Sequence, residues 1–196
     1  MFADGGYDGV SVGELARAAR VNRAMLYYYF KDKRDLYRQA IINVLELIPA
    51  LWEREDLKAG APADRLDRYV GALWEALAEN RDAMPMIMRE LSSGGSEREL
   101  IFSRYLIPNA MFITKIVEDG VSTGDFAPAP PLFVTVALIS GLIMPNFGFA
   151  IGKPFAPEWA DSLGAGPEYI DFYQAYVRRA LGAGTGKGGD TRGPDK

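Results

Sequence analysis

Residues 11–33, S-V-G-E-L-A-R-A-A-R-V-N-R-A-M-L-Y-Y-Y-F-K-D-K, constrain the fold more than any other stretch. Ser11 is a good helix N-cap and Glu14 stands three places on, so hydroxyl and carboxylate can each satisfy a free backbone amide. Val12, Leu15, Ala16 and Ala19 fall at i, i+3, i+4 and i+7, one apolar stripe on a short helix. Arg17, Ala18 and Arg20 lie off it. Val21-Asn22 breaks the pattern, and a second helix follows over residues 23–30. Leu26, Tyr29 and Phe30 can pack back on the first helix, which assigns Tyr29 and Phe30 mainly to the core. Ala24, Tyr27, Tyr28 and Lys31 share the outer face. Asp32, with Asp35 three places later, caps a third helix.

Two short helices joined by a tight turn form an arrangement whose second helix can enter a DNA major groove. Small Ala24 permits close approach to a base edge, and tyrosine hydroxyls and lysine ammoniums suit phosphate oxygens. The amides at the start of the third helix can hold a backbone phosphate, with Lys33 adding a full charge. Charge is distributed accordingly. The chain of 196 residues carries a net −4, yet residues 17–38 hold seven basic side chains against Asp32 and Asp35. A basic head on an acidic body fits local contact with a polyanion.

The run L-Y-x-Y-F-x-x-K (residues 26–33) after the turn A-x-x-A-x-V (residues 16–21) resembles the DNA-binding head of the TetR/AcrR family of transcriptional regulators. Gly6-Tyr7, Ser11-Val12, Leu15, Asn22 and Leu36 also match. The family often has glycine where Arg20 and Ala24 stand here. The resemblance implies an all-α fold, with a helix-turn-helix head at residues 1–38 and a helical ligand-binding and dimerisation body at 39–181. It implies that Ser11, Asn22, Arg23, Ala24, Tyr27, Tyr28, Lys31 and Lys33 contact DNA. Arg23 and Ala24 would face bases; Tyr27, Tyr28 and Lys33 would hold phosphates. Residues 1–7 look like the tail of the family's first helix, and the natural protein is expected to start upstream of Met1. Leu15, Ala19, Leu26 and Phe30 would then lack part of their cover.

The chain has neither cysteine nor histidine, which removes disulfides, thiolate zinc sites, the usual general base and the commonest metal ligand. No paired-carboxylate motif at metal spacing occurs, so an enzyme is not expected, nor is a cofactor. No secretory signal opens the sequence, and the cytoplasm is the default location.

Downstream, residues 33–58 read as one long helix kinked at Pro49, a hinge or a mere bend. Residues 62–80, 81–93 and 97–120 are further helices, the last interrupted by Pro108; R-E-L-x-x-G-G at 89–95 also resembles AcrR-type bodies. Residues 126–152 carry no charge, long enough for a membrane span of about 20 apolar residues. Thr135, Ser140, Pro145 and Asn146 dilute the run and no second span is read, so a buried helix is expected rather than a membrane anchor. Residues 153–166 read as a loop, flap or arm. Residues 167–181 form the final helix, whose stripe of Tyr169, Phe172, Tyr173, Tyr176 and Val177 is assigned to a seam with a second subunit, the subunit's own core being the competing place. The resemblance implies a homodimer through these last two helices. Residues 182–196 are Gly-rich and expected to be disordered; G-A-G-T-G-K-G-G there fails as a phosphate loop at both ends.

Seven methionines and 23 aromatic residues make the body rich in large, adaptable side chains. Trp52, Trp74, Met84, Met88, Tyr105, Met111, Phe112 and Phe147 are candidate walls of an apolar cavity for a small hydrophobic or amphipathic effector. The reading is a ligand-responsive regulator, a repressor on a palindromic operator of double-stranded DNA. A helical small-molecule-binding protein without DNA binding is the alternative.

Overall fold

The structure is a computed structural model that describes residues 1–163 and 167–183. These form an all-helical chain. The head comprises α1 (Phe2–Gly5), α2 (Val12–Ala18), α3 (Arg23–Tyr29) and the outer part of α4 (Lys33–Leu45). The body adds α5 (Leu47–Trp52), α6 (Glu55–Lys58), α7 (Pro62–Glu79), α8 (Met84–Ser93), α9 (Arg98–Ile101), α10 (Ile107–Thr123), α11 (Pro131–Gly152), α12 (Pro157–Leu163) and α13 (Pro167–Ala180).

Helix α7 runs through the centre. Leu66, Tyr69, Val70, Leu73 and Trp74 recur at helical spacing and are all buried. They meet Ile113, Ile116 and Val117 of α10 and Leu138 and Leu142 of α11. Each such side chain contributes about 1.5–3 kcal/mol by leaving water.

Prolines set the breaks. Pro49 has no amide to offer the carbonyl of Leu45, and α4 ends at that residue. The expected kink falls at Glu46, which stays in the right-handed region at φ −63°, ψ −15°, and with a further turn before Glu55 it divides 33–58 into three helices rather than one. Pro108 likewise leaves the carbonyl of Arg104 without its helical donor, and the chain widens into a π turn over Phe102–Leu106 before α10 begins. The helix does not stop there. The continuous run Arg98–Thr123 joins α11 as a second helix long and apolar enough to cross a membrane by length and composition. That corrects the reading of a single span, which had taken Pro108 as an interruption.

Pro145 sits inside α11, and the Tyr169 hydroxyl donates to the carbonyl it strands, that of Gly141, at 2.5 Å. Gly141 also lets α13 approach: a Cβ there would lie 2.2 Å from the Tyr173 hydroxyl. Tyr173 donates toward the carbonyls of Ala137 and Leu138 at 3.1 and 3.0 Å. Tyr169 stacks on Trp74 at 4.7 Å between ring centroids. The stripe on α13 is thus divided. Tyr169, Tyr173 and Val177 pack into their own subunit, while Phe172 and Tyr176 point outward.

The expected loop at 153–166 is also corrected. Pro157–Leu163 is a helix, with Ala160 fully buried and the Trp159 ring against Gly152 of α11. The disorder expected at 182–196 lies, from residue 184 on, outside the described residues.

Candidate nucleic-acid interface

The head is built from local capping. Glu14 accepts from the Ser11 amide at 2.8 Å, and the Ser11 hydroxyl accepts from the Glu14 amide at 3.2 Å. The Ser11 amide first, and the Ser11 hydroxyl beside the carboxylate second, hold the Glu14 carboxyl below its ordinary range. Asn22 starts α3 by accepting from the Met25 amide at 2.7 Å, and Asp32 starts α4 by accepting from the Asp35 amide at 2.8 Å. Asp35 in turn accepts from the Lys31 amide at 3.0 Å.

The turn between α2 and α3 is a Schellman motif. The Val21 amide donates to the Ala16 carbonyl at 3.0 Å and the Arg20 amide to that of Arg17 at 3.1 Å. Arg20 adopts φ +57°, the one non-glycine at positive φ among the described residues. The family's frequent glycine at this place has a physical reason: the left-handed region costs a side-chain-bearing residue free energy that glycine does not incur.

Helix α3 is presented to solvent. Asn22, Arg23, Ala24, Tyr27, Tyr28 and Lys31 are all exposed, Tyr28 at 82%. Ser11 is exposed as well. Arg23 does not extend outward: a Cβ on Gly13 would lie 2.3 Å from its Nη2, so the guanidinium lies back over α2. Lys33 is half-buried, its ammonium 4.4 Å from the centre of the Tyr7 ring. Tyr29, assigned to the core, is 70% exposed and packs edge-on against Tyr28 at 5.1 Å. Of the apolar residues on the inner side of α3, Leu26 and Phe30 are half-buried and Tyr29 lies outside their arc. Met25, 46% exposed, is a further surface residue that periodicity did not single out.

A sequence profile described as "Bacterial regulatory proteins, tetR family" matches residues 1–40, which include all of these residues. The similarity continues past the head. The chain is 25% identical over 195 residues to the HTH-type transcriptional repressor KstR2 of Mycolicibacterium smegmatis, covering 97% of this chain and 88% of that protein. Its head is a TetR-family domain.

The similarity to the probable HTH-type transcriptional regulator YttP of Bacillus subtilis is 25% identity over 74% of this chain and 71% of that one. Among solved structures, the TetR-family regulator PfmR from Thermus thermophilus superimposes with a TM-score of 0.71 at 22% identity, over 93% of both chains. KstR2 of Mycobacterium tuberculosis gives 0.70 at 19%, over 92% of this chain and 89% of the other. A chain with this TetR-family head, similar along its length to HTH-type regulators, is accordingly a DNA-binding transcriptional regulator, and the family of that head is not one of enzymes.

The body holds an enclosed apolar cavity of about 70 Å³ between α4, α5, α7 and α8. Met84 and Met88 line it as expected residues; Leu45, Ile48, Leu73, Leu77, Ile87, Leu91 and Ile143 complete most of the wall. The other six expected wall residues lie elsewhere. The Trp52 indole donates to Asn109 Oδ1 at 3.2 Å, and Trp74 is held by Tyr169. Tyr105 donates to Glu46 at 2.8 Å, and burial with that carboxylate pushes its hydroxyl up to about 12. Phe112 packs against Tyr69 at 5.3 Å. Met111 is 67% exposed, and Phe147 is half-buried away from the cavity. The wall is aliphatic because the body's aromatic rings are mostly taken up by polar or stacking partners of their own.

Proposed function

We propose that this regulator is a repressor. It binds a palindromic operator as a homodimer and is released when a small apolar effector enters the body. The observation that carries the reading is the bare outer face of α3, where Ala24, Tyr27, Tyr28 and Lys31 stand exposed while Leu26 and Phe30 opposite are half-buried. In this reading Ala24 meets base edges, and Arg23 does so after swinging off Gly13. Ser11, Asn22, Tyr27, Tyr28, Lys31 and Lys33 hold phosphates beside the free amides of α4. The head corresponds to residues 1–38 and the ligand-binding and dimerising body to 39–181. A C2 dimer would place two α3 helices about 34 Å apart, one turn of DNA. A regulator of this kind works where the chromosome is, which for a bacterial protein is the cytoplasm.

The effector site is the aliphatic cavity. At about 70 Å³ it is far below the ~300–1,000 Å³ of ordinary ligand pockets, so entry requires Met84 and Met88 to move. An effector acts only through a difference in affinity between two arrangements of the body. KstR2 of M. tuberculosis is described as a ketosteroid transcriptional regulator, an apolar chemistry of the same general kind.

The test is a fluorescence-anisotropy titration against the DNA upstream of this gene and a scrambled duplex, at several salt concentrations. Tight binding to the upstream DNA, weakening steeply with salt, is the expected result. Equal, weak binding to both duplexes would instead favour a ligand-binding body without a DNA role.

A further inference from the structure

We infer that Glu90 and Glu97 form a latch that positions the DNA-binding head on the body through Tyr37, Arg34 and Arg38 of α4. The inference rests on the DNA-binding reading above. Glu90 and Glu97 are the two buried carboxylates among the described residues, at 6% and 4% exposure. A carboxylate leaves water at high cost unless it is paired and hydrogen-bonded. Both are. Glu90 accepts from the Glu97 amide at 2.8 Å and from the Tyr37 hydroxyl at 3.0 Å. Glu97 meets Arg34 Nε at 3.5 Å and Arg38 Nε at 3.3 Å, and accepts from the Ser96 hydroxyl at 3.1 Å.

The backbone is shaped to permit this. Gly94 closes α8 at φ +72°, and a Cβ on Gly95 would stand 2.1 Å from Glu90 Oε1, so only glycine leaves room for the carboxylate. Arg34, Tyr37 and Arg38 follow at i, i+3 and i+4, a single face of α4, within two turns of its DNA-facing end. Apolar packing holds one side of α4 at this level, where the Tyr37 ring meets Phe2 and Tyr7 edge-on at 5.1 and 5.4 Å. A cleft of about 590 Å³ lies between its first turns and the turn joining α8 to α9, and the arginines bridge it. On the other side α4 borders an open groove lined by Tyr29, Phe30 and Leu36. Ring contacts such as those of Tyr37 tolerate small rotations, so the directional polar bonds across the cleft refine the angle of the outer half of α4, and that angle determines where α3 stands relative to a twin head.

Glu97→Gln separates this role from simple charge. The substitution removes a negative charge beside Arg34 and Arg38, so electrostatics alone would strengthen binding to every duplex. The latch predicts the reverse for the specific site. A duplex selected by the wild-type protein from a random pool, and a scrambled version, would be titrated by anisotropy, with folding followed by circular dichroism. The expected result is about a tenfold loss on the selected duplex with no loss on the scrambled one. Arg38→Gln should show the same fall in selectivity, Arg38→Lys should restore part of it, and the Glu97→Gln/Arg38→Gln double variant should be no worse than either single one. Should Glu97→Gln fail to fold, the Arg38 variants, at a half-exposed side chain, carry the test alone. Unchanged or tighter binding of Glu97→Gln to the selected duplex, or an Arg38→Gln loss equal on both duplexes, overturns the latch. Failure of the wild-type protein to enrich any sequence overturns the DNA-binding reading instead.

Discussion

Arg20 shows what a single residue contributes to the head. Its φ of +57° is dictated by the Schellman turn that ends α2, and the side chain there is exposed. A non-glycine residue in this region is disfavoured by about 1–2 kcal/mol, while glycine adds about 0.4–1 kcal/mol of entropy to the unfolded chain. Arg20→Gly should therefore raise stability by about 0.5 kcal/mol, read as a higher urea midpoint. Arg20→Ala, which keeps the strain, should leave the midpoint where it is; an equal rise for alanine would show that charge, not backbone, was responsible. At this scale the caps were legible in the sequence, because Ser11 with Glu14, Asn22, and Asp32 with Asp35 act within one turn. Tyr29 was not. Tyr29 and Phe30 are adjacent, and helical spacing allows either to face inward; the fold chose Phe30. Six of the residues expected to line a cavity lie away from the aliphatic one for a related reason. Aromatic side chains suggest pockets by size, but Trp52, Trp74 and Tyr105 each find a partner within the body.

Among the elements, the junction of α4 and α5 joins head to body, and Pro49 makes it. The sequence showed the proline but not its consequence, since one missing donor can bend a helix or end it. Here Ile48 and Leu51 are buried, so turning α5 away from the α4 axis is compensated by packing against α7. Pro49→Ala returns an amide opposite the Leu45 carbonyl. The two helices should then approach one continuous helix, and the amides of residues 46–50 should exchange with solvent about tenfold more slowly. Exchange at the wild-type rate would mean that packing, rather than the absent donor, holds the break. A stiffer junction should also weaken whatever signal the cavity sends, because Leu45, Leu47 and Ile48 line that cavity on both sides of the break. Helix α12 was hidden for a different reason. It has seven residues behind a Pro/Gly-bearing segment, too short for a periodic pattern, and it forms against α11 through Ala160.

For the whole molecule, the outward sides of α11 and α13 have no partner among the described residues. Leu132, Phe133 and Val136 on α11 and Phe172 and Tyr176 on α13 are more than half exposed. The uncharged run at 131–152 was legible as a helix to its ends, but sequence alone did not say which side of it is covered. The structure buries Thr135, Leu138, Leu142, Pro145 and Asn146 and leaves the opposite side bare. Exposed apolar side chains gathered on two neighbouring helices are what an interaction surface offers. In a regulator with one head per chain, a second copy is the partner that would bring two heads to one operator. We expect the wild-type chain to sediment, without detergent, at twice its 21.6 kDa. The double substitution Phe133→Glu/Phe172→Glu puts charge on outward positions of both helices and leaves Tyr169 and Tyr173 untouched. It should keep the helical dichroism, sediment as a monomer, and lose about 100-fold or more in affinity for a two-half-site operator, because the second head no longer binds intramolecularly. Affinity for an isolated half-site should stay within a factor of about two. A variant that remains dimeric would place the seam elsewhere, and wild-type protein that partitions into detergent would assign this face, with the long run through α10, to a bilayer instead.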